Sequence, residues 1–393
     1  MNMVSKKNLC FCLVILYTLS LGSVGQATET IKIGLNLSYS GDRKSSGLAS
    51  KAGAEMVRDQ INGKGGITIG GKQYTIEYVH ADNKSSTQQA VANGLELITK
   101  GNVLAIIGPN ASSRAIPAGG ISQSFGTPMI SPTSTNPSTT LNRSYVFRAC
   151  FLDPFQGEAM ANFVTTEFKA EKAAVLYNIS SAYPRGLAEF FKAAFEAKHG
   201  AGSVVAFENF LSSEKDLSSQ LTKIVKAKAD VLFVPQYDYE IPEIVKQARA
   251  QGWKKVILGG DAWETNTLIS ECGDLCKGLY FTSHFAAIGA KGKTKEFVDN
   301  YQAASKTLPT GNSALGYDAA DLLLTAISSL NQLTGDLIKD RSAIRDQLTK
   351  IKGFQGVSGT LDMTEGGDPV KSAVIIRINE NSEFESYRIQ NPA

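Results

Sequence analysis

At 393 residues the chain is long for one domain and natural for two, and its 42% hydrophobic and 20% charged content supplies two cores with no bias toward disorder. A formal charge of +3, with no Lys/Arg cluster interleaved with aromatics, argues against nucleic acid and anionic membranes as partners. Three histidines in the whole chain leave little material for a zinc or histidine-based catalytic centre.

Residues 1–27 read as an export signal, with Lys6 and Lys7 as its basic head and an apolar stretch over 9–19 too short to span a bilayer. Gly25-Gln26-Ala27 supplies the small-residue cleavage site, so a soluble, periplasmic product is expected. Cys10 and Cys12 fall inside this signal, and the residues before them do not resemble a lipid-attachment site. In an oxidising compartment Cys272 and Cys276 are expected to pair as a disulfide across a small loop. A zinc site built from the same two thiols and His284 would want a fourth ligand. Cys150 follows an expected strand and reads as a buried thiol rather than a nucleophile.

The first elements alternate: a strand at 31–37, a polar loop at 38–46, a helix at 48–61, a strand at 74–79 and a helix at 87–99. The stretch 103–135 follows, opening on a buried strand at 103–107 that Gly108-Pro109 breaks. Asn110-Ala111-Ser112-Ser113 then reads as a turn into a helix start, whose free N–H groups and positive dipole end suit an anion without a lysine. A second short strand at 129–130 leads into the hydroxyl-rich loop Ser131-Pro132-Thr133-Ser134-Thr135. Two such loops at one edge of a parallel sheet form a crevice for a small ligand, and this pair holds hydroxyls and amides but no acid, base or metal ligand. That equipment holds something small and zwitterionic.

A strand at 145–148 ends the first α/β run, and a second follows. It has helices at 154–168, 184–199, 217–226 and 241–250, with strands at 173–178, 204–207, 231–234 and 256–258. Three amphipathic helices at 294–306, 314–333 and 341–351 are expected to return to the first lobe, and a last strand at 373–378 to join the second. Enzyme chemistry finds no support: there is no G-x-S-x-G elbow or phosphate-loop fingerprint, and His80, His199 and His284 all lie outside the two loops.

The order of elements, the two loops quoted above and the segment Gln247-Ala248-Arg249-Ala250-Gln251-Gly252 resemble the periplasmic leucine/isoleucine/valine-binding proteins, substrate-binding subunits of branched-chain amino acid ABC transporters. The resemblance runs from about Ile31 to the C-terminus. It implies the α/β fold of a type I periplasmic binding protein, two doubly wound parallel-sheet lobes joined by a three-crossover hinge. Lobe 1 would take 28–149 plus 284–362, and lobe 2 150–283 plus 363–393.

Carried onto this sequence, the ligand carboxylate falls to Ser112 and the Thr135 amide, and the ammonium to the Thr133 carbonyl, the Thr135 hydroxyl and Asp261. Asp261 stands where Glu is more familiar. Tyr183 and Tyr237 match clamping tyrosines, with Tyr239 as an alternative register, and Tyr39 and Ser46 match positions near the ligand side chain. Ser46 replaces a common aromatic, implying a roomier or more polar pocket, and Ala111 replaces a cysteine, removing a familiar disulfide. Trp263 either lines the side-chain pocket or packs beneath the hinge. Taken singly, Ser112 and Asp261 could be helix caps and Thr135 a turn residue. The function implied is capture of an L-amino acid, branched-chain or aliphatic, by a monomer that uses no cofactor and delivers to a membrane permease. The alternative is a sensing domain of the same fold that binds an amide, an aromatic acid or another small carboxylate.

Overall fold

The structure is a computed structural model that describes residue 1 and residues 29–392. The expected export signal therefore lies, apart from Met1, outside the described residues. Two doubly wound α/β lobes make up the chain, each a mainly parallel sheet flanked by helices.

The first lobe opens with β1 (Glu29–Leu37), α1 (Lys44–Gly63), β2 (Ile67–Ile69), β3 (Lys72–Asp82) and α2 (Thr87–Thr99). It continues through β4 (Ala105–Ile107), α3 (Ser112–Ser124), β5 (Met129–Ser131) and β6 (Val146–Arg148). The last five residues of β1 are all buried, because the strand lies in the middle of the sheet with a layer on each face. The sheet order is β2-β3-β1-β4-β5-β6, parallel except for the β2–β3 hairpin. From β1 the chain goes first to one side and then to the other, so the switch point lies between the C-terminal ends of β1 and β4, where such sheets bind ligands.

The second lobe contains α4 (Asp153–Glu167), β7 (Ala173–Asn178), α5 (Ala182–His199), β8 (Val204–Phe210) and α6 (Ser218–Lys226). It goes on through β9 (Val231–Phe233), α7 (Ile241–Ala250), β10 (Ile257–Gly259), α8 (Asn266–Cys272) and β11 (Tyr280–Ser283). Its switch point falls between β7 and β9 in the order β16-β15-β11-β10-β9-β7-β8. The Cys272–Cys276 disulfide is formed, with Cα atoms 5.6 Å apart, at the end of α8. Cys150 is a free, buried thiol. Denaturing alkylation without reductant, on protein lacking residues 1–27, is thus expected to label Cys150 alone; labelling of three thiols by mass would contradict the bond.

The expected late helices are α9 (Gly292–Ser305), α10 (Gly311–Ser328) and α11 (Leu337–Leu348), and their apolar residues share one core with Ile33, Leu35 and Ile107 of the first sheet. α10 lies directly against α1: a Cβ on Gly53 would fall 2.0 Å from the Ser313 carbonyl oxygen, and one on Gly316 2.2 Å from that of Ser50. Only glycine lets the two backbones meet so closely. After α11 comes a hairpin of β12 (Phe354–Gly356) and β13 (Gly359–Met363), followed by β14 (Pro369–Val370). β15 (Ala373–Ile378) joins the second sheet antiparallel to β11, as the sequence suggested, and is edged by β16 (Phe384–Gln390).

The chain passes between the lobes three times. The third passage lies between Val370 and Ala373, beyond the boundary after 362, because β14 pairs with β13 and the Gly367 carbonyl accepts from the Arg148 N–H at 3.0 Å. Among the described residues no helix is long and apolar enough to cross a membrane, and no three His, Cys, Asp or Glu side chains group to hold a metal.

Candidate functional site

A cleft opens where the C-terminal strand edges of the two sheets face each other. On the first-lobe side the chain leaves β4, turns at Gly108-Pro109 and enters α3, placing Asn110, Ala111 and Ser112 on the wall. Ala111 sits at the N-cap without a side-chain hydrogen bond, so no side chain of the helix's own covers the donor end of α3. Ser112 is buried, and its Oγ accepts from the Ser134 hydroxyl at 3.0 Å and from the Asn136 N–H at 3.4 Å. With both lone pairs engaged, its own proton is left for an anion. Thr133 also lines the cleft and donates to the Asn110 carbonyl at 3.4 Å.

On the second-lobe side β7 leads to Tyr183, β9 to Tyr237 and β10 to Asp261. The Asp261 carboxylate accepts from the Tyr183 hydroxyl and the Gln156 amide, each at 2.8 Å, and lies 3.2 Å from His284 Nε2. Burial would raise this carboxyl, but the hydrogen bonds from His284, Gln156 and Tyr183 prevail and hold it below the usual aspartate value. Burial pushes His284 down to about 4 even beside Asp261, so the ring is neutral near pH 7 and its Nε2–H is the donor. All three partners of Asp261 are therefore uncharged, and a negative charge faces the cleft without a cation of its own. The tyrosines stand together, their ring centres 5.4 Å apart.

Glu264, Gly311 and Asn312 complete the wall together with Arg43. Arg43 is buried, pairs with Asp238 of the second lobe and lies 4.4 Å above the Tyr237 ring. Burial pushes the Glu264 carboxyl up to about 7, against hydrogen bonds from the Ser283 hydroxyl and the Gly311 N–H.

Of the residues expected at the site, Ser112, Thr133, Tyr183, Tyr237 and Asp261 meet around this cleft. Thr135 does not reach its surface. It is fully buried behind the wall, where Arg148 holds the loop inward through the Ser134 and Asn136 carbonyls at 2.6 and 3.1 Å. Tyr39 points away, its hydroxyl 3.0 Å from His80 Nδ1 at the flank of the first lobe. Ser46 donates to the Arg43 carbonyl at 3.1 Å, and its own carbonyl accepts from Asn110 at 3.3 Å, so it braces the wall from behind. Trp263 is fully buried in the second-lobe core, bonded to the Val234 carbonyl at 3.1 Å, and does not line the cleft. Sequence reasoning missed Arg43, Glu264, Gln156 and Asn312, and placed His284 only at a crossover. Asn110 lay inside the loop already singled out, and Glu264 three positions from Asp261.

Behind Asp261, the carboxyl of Asp153 is fully buried at the start of α4. Burial above all, with the Asp261 charge adding and Thr135 and Arg148 opposing, pushes it up to about 8. The native state therefore binds a proton that the unfolded chain releases, and this group's contribution to stability is lost as pH rises from about 4 to about 8. Asp153→Asn is expected to raise the melting temperature more at pH 8 than at pH 5; an equal shift at both would contradict a protonated Asp153.

Two α/β lobes facing each other across a cleft, with an uncapped helix N-terminus on one wall and a buried carboxylate on the other, have the build of a two-lobed binding protein. The chain belongs to the periplasmic binding protein family, whose description matches residues 30–383. A leucine-binding protein, LivK, of Thermotoga maritima is 32% identical and superposes with a TM-score of 0.83 over 92% of this chain and 99% of that one. The branched-chain amino acid transporter substrate-binding protein LivJ of Streptococcus pneumoniae, solved with isoleucine, is 33% identical with a TM-score of 0.83, covering 93% of this chain and 100% of that one. The Leu/Ile/Val-binding protein of Escherichia coli K12 is 28% identical over 372 residues, 94% of each chain.

Proposed function

We propose that this chain captures a free L-amino acid in the periplasm and hands it, as a monomer, to the permease of an ABC transporter. The observation that carries the reading is Asp261, a buried carboxylate on the cleft wall whose partners are all neutral. A buried anion without a counter-charge is costly, and a ligand ammonium supplies that charge. Across the gap, the N-terminus of α3 and the Ser112 hydroxyl suit the ligand carboxylate. The names of the relatives, among them leucine- and isoleucine-binding transport proteins, agree with an amino acid as cargo.

The lobes also touch outside the cleft. Thr267 donates to Ser45 at 3.0 Å and Asn136 to the Ala182 carbonyl at 3.1 Å, bonds that only a shut gap permits. Ligand binding then shifts an open–closed equilibrium, since the full set of contacts exists in the closed form alone. Nothing prepares Ser112 for chemistry: its Oγ meets a serine hydroxyl and a backbone N–H, not a base.

A thermal-shift screen of the protein lacking residues 1–27 over the common L-amino acids, sugars and neutral amides tests this. At least one amino acid should stabilise by about 2.7 kcal/mol at a hundred times its Kd. A response confined to sugars or neutral amides would refute it.

A further inference from the structure

We infer that the cleft prefers an amino acid whose side chain ends in a neutral hydrogen-bonding group, a carboxamide or hydroxyl, over the branched aliphatic ones. The inference rests on the amino-acid reading above and concerns the part of the wall that Ser112 and Asp261 leave for the side chain.

Apart from Ser112, Thr133, Asp261 and His284, the polar lining consists of Arg43, Asn110, Glu264 and Asn312, with Gly311 beside the Glu264 carboxyl. The described lining includes no Leu, Ile, Val, Met or Phe. Its two rings are already engaged, Tyr183 through its hydroxyl to Asp261 and Tyr237 beneath the Arg43 guanidinium. Ala111 and Ala262 offer only methyl groups. A leucine or isoleucine side chain would thus bury its methyls against amide, guanidinium and carboxyl groups, and those groups would lose access to water with nothing in exchange.

The same wall carries unused hydrogen-bonding capacity. Arg43 Nε, a donor, and Asn110 Oδ1, an acceptor, are both buried without a partner. Buried polar groups are nearly always paired in native proteins, so two orphans of opposite kind on one wall point to a ligand that both accepts and donates. A carboxamide does this, and so does a hydroxyl.

Charge narrows the class further. The Arg43 cation is matched by Asp238, so a side-chain carboxylate would find no free positive charge and would face Asp261 and Glu264. A side-chain ammonium or guanidinium would find Asp261 taken by the ligand's own α-ammonium and, of the remaining lining acids, only Glu264, whose carboxyl burial pushes up to about 7. Neutral polar side chains meet neither conflict.

Calorimetry on the full mature chain decides the matter with a panel of L-glutamine, L-asparagine, L-serine and L-threonine against L-leucine, L-isoleucine and L-valine, with L-glutamate and L-lysine alongside. The tightest neutral polar ligand is expected to bind at least about tenfold more tightly than the tightest branched one, because a site made of hydrogen-bonding groups rejects analogues that leave them unpaired. A branched or a charged amino acid that binds as tightly or better overturns this inference and leaves amino-acid capture standing. No binding by any amino acid overturns both. In Asn110→Leu the ratio should fall by about tenfold or more toward the branched ligands; an unchanged ratio contradicts the role given to Asn110.

Discussion

Replacing Asp261 by alanine is expected to weaken amino-acid binding by about 2–5 kcal/mol, the range found when one partner of a buried, hydrogen-bonded charge pair is truncated. The reason lies in what surrounds it. Tyr183, Gln156 and His284 hold the carboxylate in place and lower its pKa, yet none of them cancels its charge. Without the carboxylate, a ligand ammonium in the closed cleft has dipoles for company and no anion. Asp261→Asn sharpens the test, since the amide preserves size and can still accept from Tyr183 while the charge is gone. If charge is the issue, titration calorimetry should find the asparagine variant nearly as impaired as the alanine one. An affinity within about a factor of two of wild type in either variant would remove Asp261 from the site.

The second large effect concerns closure rather than contact. Asp238 does not line the cleft, but it pairs with Arg43 of the opposite lobe and accepts from the Thr265 hydroxyl at 2.8 Å. Opening the lobes would return Arg43 and Asp238 to water, so the pair is desolvated only when the gap shuts. Asp238→Ala leaves Arg43 buried and unmatched in the closed form alone, a penalty of about 3–5 kcal/mol that favours the open form. Affinity should fall by a similar amount although no ligand contact is lost. Small-angle scattering should show the wild type contracting on ligand addition and the variant staying extended at the same concentration. A variant that contracts and binds like wild type would show that the Arg43–Asp238 pair is no latch.

Much of the fold was legible because its signals are local. The buried β-branched run at 103–107, the glycine and proline that end it and the repeated strand–helix alternation each follow from a few neighbouring residues. β16 gave no such signal: it is an edge strand, mostly exposed or half-buried, and carries little apolar alternation. At the site, Ser112 could be read from the chemistry of its loop, whereas Asp261 came only with the family resemblance. Arg43 could not, for a charge in a polar loop reads as solvated, and what makes its burial tolerable is a carboxylate 195 positions away. Trp263 went inward for a reason the sequence holds but does not advertise. A Cβ on Gly259 would stand 2.0 Å from the indole, so the glycine leaves the space into which the ring folds. Tyr39 likewise depends on a long-range partner, His80, which draws its hydroxyl to the flank.

Recognition depends on two opposite charges being gripped together, the carboxylate at the head of α3 and the ammonium at Asp261. Calorimetry with the best amino-acid ligand, its deaminated acid and its decarboxylated amine tests that most directly, because the three differ only in the charged ends. Binding by the intact amino acid, with each truncated analogue weaker by about a hundredfold or more, is the predicted result. A deaminated acid that binds as well as the amino acid would contradict it.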